Sequence, residues 1–475
     1  MLDYNAGKMP FAAAQIGLGF RNEIAPRNGL LRVREFCLAE IEHFVKPNEK
    51  AHPKFATVAD RTVTLFSAEM QLSTGRTVQM TIGEAVASQL VDNETLGYFM
   101  ARTHMWLEMI GVDVTRMRFR QHLRTEMAHY ATDCWDMEIH TSYGWIECVG
   151  HADRSCYDLV QHQNKSGVMM QASAMLAEPI FVDKVVCEPN KKLLGPKFKA
   201  NQKVVTQAIE ALEGEALERF RADIEANGVG LLAVPSSDGD DVPYEITKDL
   251  VKFGVEKQKI TQTKYTPSVI EPSFGIGRIL YAVLEHAFSQ RNGDEARGVM
   301  AFKPRMAPLK VAVYRLLNNA AFDPLVTRLK NALQSRSIAT RVDSSTTSVG
   351  RRYTRGDELG IPFAVTIDYQ TVIDQSVTVR DRDTMSQVRV SGDEVVDLLS
   401  KLVNEELLWS AVLTRYMVVN AGGDAAEGDA TTEEGAAAAA KASSVDTTSP
   451  LIIQHTPRGS FNIINPNYVK SSAKK

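Results

Sequence analysis

What this 475-residue chain lacks narrows its class first. No run of about eighteen consecutive apolar residues occurs, the length a membrane-spanning helix requires, so no membrane span is expected. Cysteine is scarce: Cys37, Cys134, Cys148, Cys156 and Cys187 are the five, and no two stand in a C-x-x-C pair. An odd, unpaired set fits a reducing compartment and argues against a disulfide framework or a zinc site. Nor is there a large excess of one charge. A formal net charge of −4 excludes a generally basic nucleic-acid binder but leaves room for a local basic groove. The first residues, MLDYNAGKMP, have neither a basic start with an apolar run nor an Arg/Ser-rich amphipathic pattern, so the cytosol is the expected location. What remains is ordinary globular material, 44% apolar and 24% charged, long enough for two or three domains.

The periodicity of apolar residues changes along the chain. QIGLGFRNE and LLRVREFCLAEIEHF alternate as strands do, and the Pro, Asn and Gly of IAPRNG between them predict an antiparallel hairpin with a sizeable loop. From TIGEAVASQL to ETLGYFMARTHMWLEMIG the spacing is helical. Leu96, Phe99, Met100, Thr103, Trp106, Leu107 and Ile110 recur at three and four, a core-facing stripe. Short strands are expected at RMRFRQH, DCWDMEI and GWIECVG. A charged, partly helical stretch over about residues 160–255 reads as an insertion without evident chemistry. VIEPSFGIGRILYAVLEHAF reads as a strand, a glycine-containing bend and an amphipathic helix. Beyond FKPRMAPLK, strands and helices alternate from KVAVYRLL to EVVDLLSKLV, which predicts a small α/β domain. Past residue 420 the Ala/Gly/acid-rich sequence is expected to be disordered.

Chemistry concentrates in two stretches. In FRNEIAPRNGLLRVREF, four arginines and two glutamates interleave with apolar residues. On a strand, Arg21 and Glu23 would share one face, and Arg32, Arg34, Phe36, Glu40 and Glu42 another. Such a face could hold a nucleotide, with Arg on phosphate, an aromatic plane on the base and a carboxylate on an amino group. It could equally be a solvated, salt-bridged sheet face. The second stretch, EPSFGIGR, places Glu271 and Ser273 before two glycines that permit close backbone approach, and Arg278 at the start of a helix. His122 and His129, seven apart, could share a helix face, but a structural role is the expected one.

Together these stretches resemble a known family. PFAAAQIGLGFRNEIAPRNGLLRVREFCLAEIEHF is similar to motif 2, and EPSFGIGR to motif 3, of the dimeric, eukaryotic-type glycyl-tRNA synthetases of class II. RFRQHLRTEMAHYATDCWD and SYGWIECVGHADRSCYDL resemble the same family, and VGRRYTRGDELGIPFAVTID with TVRDRD resembles its anticodon-binding domain. The resemblance implies an α/β protein in two parts. An α+β catalytic domain over residues 1–306, built on a class II antiparallel sheet, would precede an α/β anticodon-binding domain over 307–405. It implies ATP, glycine and tRNA(Gly) as substrates, Mg²⁺ as cofactor and a homodimer as the family's assembly. Arg21 and Arg278 would hold the α- and γ-phosphates and act in catalysis, with Glu23 at the adenine amino group and Phe36 against its ring. Asn22, Arg32, Val33, Glu147 and Cys148 would complete the nucleotide site, and Glu147 would also meet Mg²⁺. Glycine would sit among Glu40, Glu271, Pro272 and Ser273, and Arg351, Arg352 and Tyr353 would meet anticodon nucleotides.

The resemblance also implies a departure. The family's motif 1, a long helix and strand at the dimer interface, has no counterpart in this sequence, nor has the upstream glutamate that joins the glycine site. The expectation is that this chain alone activates glycine poorly. A non-catalytic tRNA- or partner-binding derivative is the alternative, and a mitochondrial form is not excluded.

Overall fold

The computed structural model describes residues 4–26, 29–235, 241–291 and 294–419, together with two short paired strands, Ile452–His455 and Phe461–Ile464. Arg27 and Asn28 of the hairpin loop, and most of the stretch expected to be disordered, lie outside the described residues.

Seven strands arise in chain order before residue 158: β1 (Phe11–Phe20), β2 (Glu35–Val45), β3 (Thr62–Phe66), β4 (Val78–Thr81), β5 (Met117–Gln121), β6 (Asp133–Thr141) and β7 (Gly144–Asp153). The chain then forms a separate compact unit from Leu159–Pro267 and the first residues. That unit contains a long antiparallel pair, β8 (Ala172–Pro189) with β11 (Val251–Tyr265), and a short one, β9 (Val229–Pro235) with β10 (Asp241–Thr247). Its core is apolar, built on Leu194, Val205, Ile209, Phe220, Ile224 and Ile246. The stretch expected to be merely helical in places therefore also carries long strands. Their alternation is diluted by charge because most side chains of the β8–β11 ribbon are exposed.

β12 (Ser268–Gly275) completes the first sheet, ordered β1-β2-β12-β7-β6-β5-β3-β4 and antiparallel at every step except β3 with β5. Two helices cover it. Glu94–Ile110 begins at Asn93, whose side chain accepts from the Leu96 amide, and ends at Gly111 in the left-handed region. Leu96, Met100, Thr103, Leu107 and Ile110 of the expected stripe are buried, and Phe99 and Trp106 pack partly buried against the same core. The second helix, Ile276–Ala287, buries Ile279, Ala282 and Val283 and packs on β2, β6 and β7.

One expectation needs correcting. Regular pairing of β1 with β2 ends at Phe20 opposite Glu35, so Arg21, Glu23, Arg32 and Arg34 lie in the connection and not on a strand face. Pro26 and the 3₁₀ turn Gly29–Leu31 break the alternation there, leaving one further bond from the Arg21 amide to the Arg34 carbonyl (3.0 Å).

A hairpin, β13 (Phe288–Arg291) with β14 (Asp294–Met300), leads to the C-terminal domain. Its sheet runs β16 (Thr340–Asp343), β15 (Val311–Arg315), β17 (Phe363–Ile367), β18 (Ser376–Asp381), β19 (Gln387–Ser391), β20 (Met417–Val419). The first three strands are parallel, and all five residues of β17 are buried, as expected of a central strand covered on both faces. The predicted helices appear as Asp323–Ser335, Val349–Glu358 and Val395–Val403.

The helix Val349–Glu358 ends in a Schellman pattern, with the Ile361 amide bonding the Gly356 carbonyl (3.0 Å) and the Gly360 amide that of Asp357 (3.1 Å). Gly360 has φ +73°, and a Cβ there would lie 2.3 Å from Cδ2 of Phe302. Gly360→Ala combines backbone strain with a clash against an aromatic ring. It is expected to destabilise this domain by about 2 kcal/mol or more, read as a fall in its denaturant midpoint.

Candidate active site

The residues singled out by sequence converge on one cavity of about 520 Å³, within the usual size of a small-molecule site. The β1–β2 connection contributes Arg21, Glu23, Arg32 and Val33 to its lining, and β2 contributes Phe36 and Glu40. β7 adds Glu147 and Cys148, β12 adds Glu271 and Ser273, and the following helix adds Arg278. Two expected residues do not line it: Asn22 is exposed, and Pro272 is buried between its neighbours.

One end of the cavity is cationic. Arg278 donates from Nη1 to the Glu147 carbonyl and from Nη2 to the Leu31 carbonyl, both at 2.7 Å. It thereby ties the first turn of its helix to β7 and to the 3₁₀ turn. The amino end of that helix, at Gly275 and Gly277, also borders the cavity and adds partial positive charge. A Cβ at Gly275 would approach the Cys148 carbonyl to 3.3 Å, whereas one at Gly277 would meet nothing within 4 Å. Gly275 thus serves strand packing and Gly277 leaves space. Arg21 lies with Cζ 5.7 Å from the Phe36 ring centroid. Glu147 stands between the cations, its nearer carboxylate oxygen 3.9 Å from Arg278, and it keeps 53% of its side-chain surface because it faces the open cavity. Burial by surrounding protein raises its pKa, Asp136 adds to the rise, and Arg278 and Arg21 oppose it.

The other end is acidic. The β2–β12 register sets Ser273 opposite Glu40, and the serine hydroxyl donates to Glu40 Oε1 at 3.3 Å. Glu271 accepts from Arg154 Nη1 at 2.7 Å. Burial raises the Glu271 pKa, with Arg154 opposing and Glu40 reinforcing the rise. Glu42, on the same face of β2 as Glu40, is raised to about 7 by burial first and by Glu271 next. Three carboxylates against one guanidinium make a place for a cation such as an ammonium group.

The raised Glu42 makes stability depend on pH. Its carboxyl ionises near 4.5 in the unfolded chain and near 7 when folded, so between these values the folded chain holds the extra proton. Stability should fall as pH rises across that interval. In Glu42→Gln this part of the decline should vanish, measured as denaturant midpoints on either side of it.

Sequence reasoning missed Arg154, although it stands within the quoted HADRSCYDL. Its guanidinium links Glu271 to Asp158 and lies 4.4 Å over the Tyr130 ring, a stacking between residues far apart in sequence. The shared helix for His122 and His129 is also corrected: the intervening segment is turns. His122 Nε2 lies 2.7 Å from Asp136 Oδ2, and His129 meets the Tyr157 hydroxyl at 3.1 Å.

In the C-terminal domain the structure turns two of the three expected RNA contacts inward. Arg352 is 4% exposed, bonded to the Thr347 and Leu316 carbonyls. Tyr353 shares a hydrogen bond with Thr366 at 2.6 Å and lies under Arg380. Stacking by these two on nucleotides is therefore corrected, because the helix packs that face on the sheet. Arg351 alone of the three is exposed.

Residues 310–402 match the family described as "Anticodon binding domain". The chain is 48% identical over 418 residues to a glycine–tRNA ligase of Caenorhabditis elegans, covering 88% of this chain and 56% of that protein. It is 46% identical to "Glycine–tRNA ligase 1, mitochondrial" of Saccharomyces cerevisiae, over 86% of this chain and 59% of that one. With the glycine–tRNA ligase of Methanocaldococcus jannaschii it shares 42% identity over 84% of this chain and 68% of the archaeal one. This chain spans a little over half the length of the worm and yeast relatives. Fold and match define the class, an α+β domain of class II synthetase type on an antiparallel sheet, followed by an α/β anticodon-binding domain. Within that class, the chain belongs to the glycine–tRNA ligase family. Among the described residues, no helix is long and apolar enough to cross a membrane.

Proposed function

We propose that this chain carries out ATP-dependent activation of glycine and its transfer to tRNA(Gly). Residues 1–306 would form the catalytic domain, with about 160–255 inserted, and residues 307–405 would recognise the anticodon. The observation that carries this reading is the polarity of a single cavity, with Arg21 and Arg278 at one end and Glu40 and Glu271 at the other. ATP would lie with its phosphates on the two arginines, its adenine against Phe36 and its amino group on Glu23. Arg32, Val33 and Cys148 would border the nucleotide, with Asn22 and Pro272 supporting from outside the lining. The glycine ammonium would face Glu40, Glu271 and Ser273.

The glycine carboxylate then attacks the α-phosphorus, a new oxygen–phosphorus bond forms, and pyrophosphate leaves with the electron pair of the broken bond. A terminal ribose hydroxyl of the tRNA next attacks the glycyl carbonyl and AMP departs. No protein nucleophile is required in the first step. The arginines position the phosphates and stabilise developing charge. Glu147, with its carboxylate open to the cavity, suits a hard divalent cation such as Mg²⁺. When bound, that ion would offset phosphate charge. Arg351 would be available to RNA. A homodimer in the cytosol is the proposed assembly, and the mitochondrial name of one yeast relative supports an organellar form equally well.

The test is ATP–pyrophosphate exchange on this chain with and without glycine. Exchange that rises with glycine but not with alanine supports the reading. Exchange that ignores glycine would overturn glycine as the substrate, and no exchange beside intact ATP binding would support a non-catalytic derivative instead.

A further inference from the structure

A different chemistry occupies another wall of the same cavity. Cys134 and Asp136 stand two residues apart on β6 and so project to one face. His122 follows β5 and remains in register with them, its amide bonding the Cys134 carbonyl at 2.9 Å. All three line the cavity. One potential ligand atom from each lies within 4.8 Å of the other two. The residue paired with Asp136 on β7 is Gly150, which places no side chain over the carboxylate; even an added Cβ would stay 3.8 Å from Oδ1.

His122 pairs with Asp136 and also shares a hydrogen bond with the Cys134 thiol, so the three groups already form one connected set. Imidazole, thiolate and carboxylate together are the donors of a zinc-type site, whereas Mg²⁺ and Ca²⁺ take oxygen alone. Tetrahedral zinc with bonds of about 2.0–2.3 Å separates its ligand atoms by roughly 3.3–3.8 Å. Reaching that geometry from the observed spacing needs movements on the order of 1 Å, within what side-chain torsions supply.

We propose that His122, Cys134 and Asp136 form a three-ligand site for a zinc-class transition-metal ion, with the remaining coordination position open to the cavity. On binding, the imidazole and thiol protons pass to solvent and the nitrogen, sulfur and oxygen lone pairs bond the ion. The site is separate from the oxygen-only position proposed at Glu147 and does not depend on the ligase reading. An ion there would add positive charge beside the nucleotide region, since Asp136 and His122 both act electrostatically on Glu147.

Cobalt(II) titration of the metal-free, full 475-residue chain, without nucleotide, tests this. One equivalent should produce a thiolate-to-cobalt charge-transfer band and tetrahedral visible bands, both erased by Zn²⁺. Cys134→Ser should lose the charge-transfer band, Asp136→Asn should weaken cobalt binding at least tenfold, and Cys156→Ser should keep the wild-type spectrum. A wild-type chain with no charge-transfer band would overturn the proposal without reference to any variant. So would a band that persists in Cys134→Ser.

Discussion

Arg278→Ala is expected to lower glycine-dependent pyrophosphate exchange by about 10²–10³-fold, the loss typical of removing one positioned charge from a transition state. Two effects act together. The cation at the phosphate end disappears, and the Leu31 and Glu147 carbonyls lose the fork that tethers the 3₁₀ turn and β7 to the helix. Glu147 would also lose the first of the three cations, Arg278, Arg21 and His122, that restrain its raised pKa. Arg278→Lys separates these effects. It keeps a charge but cannot reproduce two planar bonds to two carbonyls, so it should recover ATP binding more than exchange rate. Steady-state exchange at varied ATP would read the split. Activity of Arg278→Ala within a few-fold of wild type would remove the phosphate role assigned to this residue.

The second large effect lies away from the cavity. Asp357 is 2% exposed and receives Arg380 in a bidentate pair, at 2.8 and 3.0 Å, and Arg291 of β13 at 3.0 Å. Asp357→Ala would leave Arg380, itself 5% exposed, as an uncompensated buried charge. Removing one partner of such a pair typically destabilises by about 3–5 kcal/mol. The loss should appear as faster hydrogen exchange across β15, β17 and β18, together with an earlier denaturant transition. Because Arg291 enters from the hairpin that precedes the domain, protection of β13 should fall as well. If β13 kept its protection while β18 lost it, the link through Arg291 would be energetically idle.

Much of the local structure was legible because its causes are local. The helix Glu94–Ile110 shows its stripe, its Asn93 cap and its terminal Gly111 in plain order. The β17 run is apolar because it is buried on both faces. Arg21, Glu40, Glu271 and Arg278 could be picked out because charged residues beside strand ends and glycine bends are conspicuous. Other features were hidden by long range. Arg154 finds Tyr130 and Glu271 only once β7 and β12 lie side by side. The helix Val349–Glu358 gives no sign in sequence that Arg352 and Tyr353 turn inward, since a guanidinium and a phenol serve equally on a surface or over a buried hydrogen-bond network.

By itself the sequence determined most element types outside the 160–255 stretch and the β1–β2 connection, the family resemblance, and the chemistry available for phosphate and ammonium, because these depend on residue identity and spacing. Tertiary structure alone decided the register that sets Ser273 against Glu40, the gathering of Glu42 with two other acids, and the assembly of His122, Cys134 and Asp136 on one wall. Those depend on which strands become neighbours, and strand adjacency follows from burial of the whole sheet rather than from any short stretch of chain.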